Sequence, residues 1–243
     1  MTDRTILSIS GEDRVSFLQG LITNDVDKAA NGIIYAALLT PQGKYIADFF
    51  VVGQPDRLLI DVASSHAPTL AQRLMMYRLR AAVVIEECDL IVSRGTGPAP
   101  DGALNDPRHP QMGWRHYGNT DVSDDTDWDA LRVEHVIPET GIELTPDTYI
   151  LEARFEALNG VDFKKGCYVG QEIIARMKHK TTLRKGLAKV TIDGTAPVGT
   201  PIQNADGKDA GTLFTQANGE AIAFLRFDRA QGNMTANGAA IRL

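Results

Sequence analysis

Residues 160–176 read GVDFKKGCYVGQEIIAR, and this stretch is the most informative in the chain. Cys167 is flanked in it by glycines and preceded by Lys164 and Lys165. Glycine allows unusual backbone angles and the close approach of a ligand or partner. Two ammonium groups and a helix N-terminus just downstream favour a thiolate. The pattern indicates a reactive cysteine; the alternative is a buried cysteine that packs as a small hydrophobe.

The chain has two cysteines, Cys88 and Cys167, and neither belongs to a CxxC pair. Their wide separation argues against a disulfide scaffold. A self-contained zinc or iron–sulfur site is disfavoured too, because such a site needs about four Cys or His ligands at close spacing. Any metal chemistry is therefore expected on another protein or at a shared site.

The composition is that of an ordinary globular protein, with 243 residues, 43% hydrophobic and 23% charged residues, and a net charge of −6. The negative charge argues against direct binding to nucleic acid. No stretch approaches the roughly 20 apolar residues of a membrane span. Residues 1–10 resemble neither a secretory signal nor a transit peptide, so the cytoplasm is the expected location, without a membrane partner.

Periodicity and turn residues predict a mixture of strands and helices in the first part of the chain. A hairpin is the clearest signal, because Thr40-Pro41-Gln42-Gly43 fits a type I turn between two apolar runs. Without a strict βαβ alternation, the order favours an α+β fold. The predicted elements are a strand at 5–9, a short helix carrying Val15, Leu18 and Ile22, strands at 33–39, 45–52 and 57–62, a helix that follows Ser64 and Ser65 and runs to about Arg80, and strands at 83–86 and 90–93.

The second part of the chain differs from the first in its composition and in its pattern of turns. Residues 95–127 are rich in Gly, Pro, Asp and His and suggest a loop-rich insertion. Helices are predicted at 127–136 and 171–179. Beyond Arg184, short apolar runs alternate with Asn-Gly and Asp-Gly turns, which is typical of a small closed β-barrel. The expected domains are 1–94, 95–183 and 184–243.

The octapeptide KGCYVGQE at residues 165–172 resembles the signature of the folate-binding YgfZ family, which shares a superfamily with the aminomethyltransferase of glycine cleavage. Other blocks agree and extend the resemblance over nearly the whole chain. The C-terminal third matches through its alternation of short apolar runs and turns more than through a sequence motif. They are RVSFLQGLITNDV at 14–26, TPQGKYIADFFV at 40–51, DPRHPQMGWR at 106–115 and LRVEHVIPETGIEL at 131–144. The resemblance implies an aminomethyltransferase-like, tetrahydrofolate-binding α+β fold with a C-terminal β-barrel.

The resemblance also implies a function. The family maintains or assembles iron–sulfur clusters in client enzymes, in bacteria including tRNA-modifying ones, so the expected partners are client enzymes or assembly factors. The motif cysteine is the family's functional residue, and Cys167 inherits that role as a redox-active thiol, a transient cluster ligand or a docking element. The other motif residues are expected to contribute to the ligand site: Lys165, Tyr168, Gln171 and Glu172.

Glu134 and Arg132 are further candidates for contacting the folate. The aminomethyltransferases carry an Arg-x-Glu-Ala-Gly segment whose glutamate binds the pterin, and Arg132-Val133-Glu134 matches its first three positions before the sequence departs. A carboxylate can accept two parallel N–H bonds from the pterin edge. The alternative is a surface glutamate on the polar side of a helix.

Asp48 is a candidate because alternation in a strand places it on the same face as Ile46, Phe50 and Val52. A charge on such a face needs a partner or a use. The aminomethyltransferases carry an acidic pair near this position, here reduced to Ala47-Asp48. Asp48 is therefore expected to line the folate opening, without proving transferase activity, and a purely structural role is the alternative.

Residues 164–189 are rich in Lys, Arg and His and contain a single acid, Glu172. Such a run is usually solvated surface. A sharper interpretation is an anionic site for a polyglutamyl folate tail or for an acidic or RNA-bearing client.

Three functions from different classes follow. The first is a folate-binding accessory protein for iron–sulfur proteins. The runner-up is a folate-dependent aminomethyl or one-carbon transferase, against which stand the incomplete acid pair and the cysteine motif that those enzymes lack; whether any turnover occurs is left open. The third is a nucleic-acid-binding module, disfavoured by acidity and by the absence of interleaved aromatic residues in the basic run.

Overall fold

The computed structural model describes residues 3–30, 32–180 and 182–243. The chain forms two compact units, and each takes two separate stretches of the sequence. The first unit comprises Met1–Thr126 and Phe155–Ala175, and the second comprises Asp127–Arg154 and Arg176–Leu243. These units cut across the middle segment of the three-domain division expected from sequence, which stays a prediction.

The first unit is built on a five-stranded antiparallel sheet with the order β2-β3-β4-β1-β5. Its central strands are apolar almost throughout, because both of their faces are covered. The predicted hairpin is present as β2 and β3, joined across residues 40–44. The strands are β1 (Arg4–Ser10), β2 (Ile33–Leu39), β3 (Tyr45–Gly53), β4 (Arg57–Ala63) and β5 (Val84–Cys88).

Two helices cover one face of this sheet, α1 (Arg14–Gln19) and α2 (Ala67–Arg78). Leu18 and Leu74 belong to the same buried cluster as Phe49 of β3. Both helices are shorter than predicted. A proline in the first turn of α2 fits its start, and α2 ends at Arg78 because the next residue leaves helical backbone angles.

A second sheet covers the opposite face, with the order β6-β8-β7. Its apolar side chains, Val92, Leu104 and Tyr117, pack against Val52 and Leu59 of the first sheet. The predicted loop-rich insertion is thus wrong in part, since it contains two strands. The strands are β6 (Ile91–Gly95), β7 (Leu104–Asn105) and β8 (Trp114–Gly118).

The second unit contains α3 (Trp128–His135) and the predicted closed barrel, which has the strand order β10-β11-β12-β9-β14-β13. Two barrel hairpins turn through Asn218-Gly219 and Asn237-Gly238, and all four residues have positive φ, as two-residue type I′ loops require. The strands are β9 (Lys185–Asp193), β10 (Pro201–Asn204), β11 (Asp209–Ala217), β12 (Glu220–Arg226), β13 (Met234–Ala236) and β14 (Ala239–Arg242).

The last helix, α4 (Gln171–Lys180), directly follows the cysteine motif, as predicted. Among the described residues, no helix combines the length and the hydropathy needed to cross a bilayer.

Candidate functional site

Cys167 is exposed, on the irregular segment that leads into α4. The other cysteine, Cys88, is half-buried at the end of β5, where it lies opposite Ile6 of β1. The structure therefore rules out the alternative that Cys167 is a core hydrophobe. Its thiol is available to a partner or reagent.

Lys165 fixes the segment on one side of Cys167. Its ammonium group is buried and donates to three backbone carbonyls, those of Gln19 at 2.9 Å, Ile22 at 2.7 Å and Asn24 at 2.8 Å. The carbonyls at the C-terminal end of a helix lack intrahelical partners, and a cation there is favourable. Lys165 therefore ties the motif to the end of α1, so its charge is committed to these carbonyls.

Burial lowers the pKa of Lys165 to about 8, against the charges of Asp25 and Asp162, which raise it. Its ammonium nitrogen lies 5.2 Å from the ring centre of Tyr168. Burial raises the pKa of the Tyr168 phenol well above its usual value, and the charge of Asp162 adds to this effect. Lys165 and Tyr168 thus hold the motif in place, a role that the expectation of ligand contact did not include.

Gly170 fixes the segment on the other side. Its φ is +84°, and a β-carbon there would lie 2.7 Å from the carbonyl oxygen of Thr40 and 3.2 Å from the Cα of Gly43. Gly43, with a φ of +74°, is itself so close to Ile173 of α4 that a β-carbon would lie 2.9 Å from that residue's Cβ. The turn of the β2–β3 hairpin and the motif thus meet backbone to backbone.

Replacing Gly170 by Ala is expected to lower the free energy of unfolding by about 1–3 kcal/mol, because the methyl group overpacks the contact with Thr40. Urea unfolding measures the loss. The matched control is Gly166→Ala, where a β-carbon would have no neighbour within 4 Å and stability should stay unchanged. Equal effects of the two substitutions would contradict the proposed backbone contact.

Gln171 and Glu172 open α4. Gln171 is half-buried and donates its backbone N–H to the carbonyl of Tyr168 at 3.2 Å, whereas Glu172 is exposed in the first turn. An acid at that position is favourable to the helix dipole. Further along, Lys185 and Lys189 form ion pairs with Glu152 and Glu220, so the basic run is not a single open patch.

Asp48 is buried in the first unit, and tyrosine hydroxyls occupy both of its carboxylate oxygens. Tyr35 donates at 2.9 Å and Tyr45 at 2.7 Å. Burial raises the pKa of Tyr35 well above its usual value, and the charge of Asp48 adds to this, so the phenol stays protonated and donates. The Asp48 carboxylate, which the sequence predicted to need a partner, therefore has two tyrosine donors.

Next to Asp48 and its two tyrosine donors lies a network of buried charges that the sequence interpretation missed. The Asp61 carboxylate accepts bonds from Arg4, Arg115 and Tyr117. The Arg115 guanidinium lies 3.9 Å from the ring centre of Phe50. The DPRHPQMGWR block and the lone acid in the apolar strand β4 were the available signals.

Burial alone would raise the pKa of Asp61, but the charges of Arg115 and Arg4 outweigh it and lower the pKa to about 2. Arg108 forms a second buried ion pair with Asp106, at 2.7 Å. Its guanidinium lies over the rings of Tyr35 and Phe50, 5.6 Å and 4.9 Å from their centres. These pairs give the covered face of the sheet a rigid polar core next to Asp48.

A cavity of about 350 Å³ opens at the edge of β2 in the same unit. This volume is in the range of small-molecule sites. Most of its polar groups already have partners; Asn24, for example, donates to the carbonyls of Tyr35 and Asn159. The lining residues are Asn24, Lys28, Ile33, Ile34, Tyr35, Pro107, Asn159 and Val161.

In the second unit, Arg132 is buried, and each of its three guanidinium nitrogens has protein partners. They reach the carbonyl of Ile137, the carboxylates of Asp129, Glu139 and Glu143, and the hydroxyl of Thr215. Arg132 is therefore a structural hub of the second unit, and its predicted role as a folate contact stays a prediction. Glu134 lies on the same helix with an exposed carboxylate and stays a candidate.

Comparison with known proteins agrees with this architecture. Residues 184–243 match the family model described as "CAF17, C-terminal beta-barrel domain". The glycine cleavage system aminomethyltransferase T from Bartonella henselae has a similar fold, with a TM-score of 0.76 at 13% identity over 98% of this chain and 82% of that chain. The predicted α+β, aminomethyltransferase-like fold with a C-terminal barrel is confirmed.

Two relatives carry the name of an iron–sulfur cluster assembly factor, IBA57. The Mus musculus protein is 29% identical over 95% of this chain and 74% of its own length. The Neurospora crassa homolog is 30% identical over 81% of this chain and 54% of its own length, so the chain spans about half of that fungal relative.

Both relatives are named as mitochondrial proteins. This finding contradicts the cytoplasmic location expected from sequence, and that expectation was wrong. The expectation rested on the composition of residues 1–10. The composition of a folded domain does not specify the compartment in which the protein works.

Proposed function

Because residues 184–243 match the CAF17 barrel model and the relatives are named as iron–sulfur cluster assembly factors, we propose that this YgfZ/CAF17-type chain serves the assembly or maintenance of iron–sulfur clusters in other proteins. The observation that carries this proposal is the exposed Cys167 thiol, held between the Lys165 anchor and the Gly170 contact. A thiolate is the usual protein ligand of iron in such clusters. The proposed clients include enzymes that modify tRNA.

A single exposed thiol offers one ligand, and a cluster takes about four. Cys88 does not supply a second, because it is half-buried at the end of β5. Cys167 is therefore proposed to act together with ligands from a partner. The frame around it keeps the thiol at a fixed place on the surface, which favours a defined encounter over random reaction.

The experiment that tests this function is complementation. Cells that lack their own copy of the protein should regain the activity of iron–sulfur enzymes with the wild-type chain and not with a Cys167→Ser chain. Recovery with both chains would refute the role of the thiol.

Tetrahydrofolate, or a derivative, is the proposed ligand of the protein. The support is the Asp48 carboxylate with its two tyrosine donors and the nearby cavity of about 350 Å³, all in the first unit. Glu134, in the second unit, is a separate candidate because its carboxylate is exposed. Carboxylates suit the N–H edge of a pterin. The hydroxyls of Tyr35 and Tyr45 occupy Asp48, so it is suited to orient a ligand more than to abstract a proton, which disfavours the transferase alternative.

Tetrahydrofolate is expected to raise the melting temperature of the wild-type chain, since a ligand of the folded state adds about 2.7 kcal/mol at a concentration of 100 times Kd. Asp48→Asn and Glu134→Gln should each reduce this rise. The ligand-dependent difference is the quantity to compare, because Asp48→Asn also weakens two tyrosine bonds. Asp206→Asn, at an exposed acid, is the control; an undiminished rise in either test variant removes that residue from the site.

A further inference from the structure

The C-terminal end of α2 exposes a cluster of large apolar side chains. Met75 is 48% exposed, Met76 62% and Leu79 89%. Leu79 follows the two methionines by four and three residues and is the residue at which the chain leaves the helix. The buried side of the same helix carries Leu70 and Leu74, so the exposed cluster is not needed for the core.

Leu79 is unfavourable in the free protein for two reasons. Its φ is +41°, a region in which a residue with a β-carbon is strained. Its side chain also stands almost fully in water. A glycine would remove both disadvantages, so the leucine is better explained by a contact outside this chain.

The charges within this stretch are basic, while one acid, Asp13, lies close by and accepts from the backbone N–H of Ala82. Arg73, Arg78 and Arg80 lie within the same eight residues, and in the described part of the chain no acidic group pairs with any of these guanidinium groups. The protein as a whole carries a net charge of −6, so these three arginines form a basic rim on a protein that is negatively charged overall. We define the α2-end surface as Met75, Met76 and Leu79 together with Arg73, Arg78 and Arg80.

We propose that the α2-end surface docks a partner protein that presents an apolar centre with an acidic rim. Methionine side chains adapt well to protein surfaces, and opposite charges at the rim accelerate and orient the encounter. Tyr77, the aromatic residue of this stretch, packs against the buried core, which disfavours a bilayer interface or stacked nucleic acid bases as the occupant. This docking goes beyond the proposed role of Cys167 and the folate ligand, because neither of them needs it.

The test uses the full-length chain in cells, with the photo-reactive amino acid benzoyl-phenylalanine in place of Met76. The control places the same probe at Val198, which is 57% exposed and lies in the second unit. The proposal expects an acidic protein to be cross-linked from position 76 and not from position 198. In the same chain, Arg73→Glu with Arg80→Glu should reduce that adduct about tenfold, because the rim then repels the partner.

A second variant separates docking from folding. Leu79→Gly relieves the backbone at φ +41°, so its melting temperature should equal or exceed that of the wild type, while the affinity for the cross-linked partner, measured with purified proteins, should fall several-fold. The proposal is overturned if positions 76 and 198 give the same adducts, if charge reversal leaves the adduct unchanged, if lipid or nucleic acid is cross-linked instead, or if Leu79→Gly binds as tightly as the wild type.

Discussion

Cells that carry a Cys167→Ser chain in place of the wild-type protein are expected to lose most of the activity of their iron–sulfur client enzymes, by about tenfold or more, because a serine hydroxyl does not ionise near neutral pH and does not replace a thiolate as an iron ligand. The change removes one exposed sulfur atom and disturbs no buried group. The soluble amount of the protein should therefore stay at the wild-type level.

The chain supplies its own matched control, because its other cysteine is Cys88. Cys88→Ser changes the same kind of atom at a half-buried position at the end of β5 and should leave client activity unchanged. Both variants are assayed for one cluster-containing enzyme and one thiolated tRNA, together with the soluble level of the chain. Wild-type activity of the Cys167→Ser chain at an equal soluble level would show that the Cys167 thiol is dispensable.

Asp61→Asn is expected to lower the free energy of unfolding by about 3–5 kcal/mol, because removal of one partner leaves a buried guanidinium uncompensated. The Arg115 side chain is 2% exposed and the Asp61 side chain 0%. Urea unfolding near pH 7 measures the loss. Asp206→Asn, in an exposed pair with Lys208 at 3.7 Å, should leave the midpoint nearly unchanged.

The same carboxylate predicts a dependence of stability on pH. Its pKa is lowered from an ordinary value of 3.8 to about 2 in the folded protein, so the unfolded chain takes up the proton first as the pH falls. The contribution of Asp61 is complete above about pH 5 and is lost between about pH 4 and pH 2. The variant should show a shallower fall of stability in this window, and an unchanged slope would contradict the ion-pair assignment.

The sequence predicted those elements that local rules determine. The β2–β3 hairpin followed from one turn, and the barrel hairpins followed from Asn-Gly pairs whose positive φ values the structure shows. Of the second sheet, β6 was predicted, but β7 and β8 were missed, and β8 carries Arg115 and His116 where apolar alternation was sought. Arg115 is buried through its contact with Asp61, 54 residues away, and hydrophobic periodicity does not register such a pair.

The candidate site was predictable only in part. The motif identified Cys167, but the three carbonyls that hold Lys165 lie 141 to 146 residues earlier, so no local pattern could reveal them. The tyrosine partners of Asp48 were closer at hand. Tyr45 precedes it by three residues, and the hairpin register places Tyr35 one diagonal step away. The alternation of residues along β3 predicted the face of the strand on which Asp48 lies, but it did not predict the hydroxyl groups that donate to Asp48.

The division of each unit between two stretches of chain has a consequence for synthesis on the ribosome. The first unit lacks residues 155–175 until the intervening stretch of the second unit has been made. At about 5–20 residues per second, its earlier part waits for some seconds. Thr23 and Asn24 receive their partners Gly160 and Asn159 only then. The segment that carries Cys167 is thus the last part of the first unit to be made, so a prematurely terminated chain lacks both the thiol and the stretch that bonds to Thr23 and Asn24.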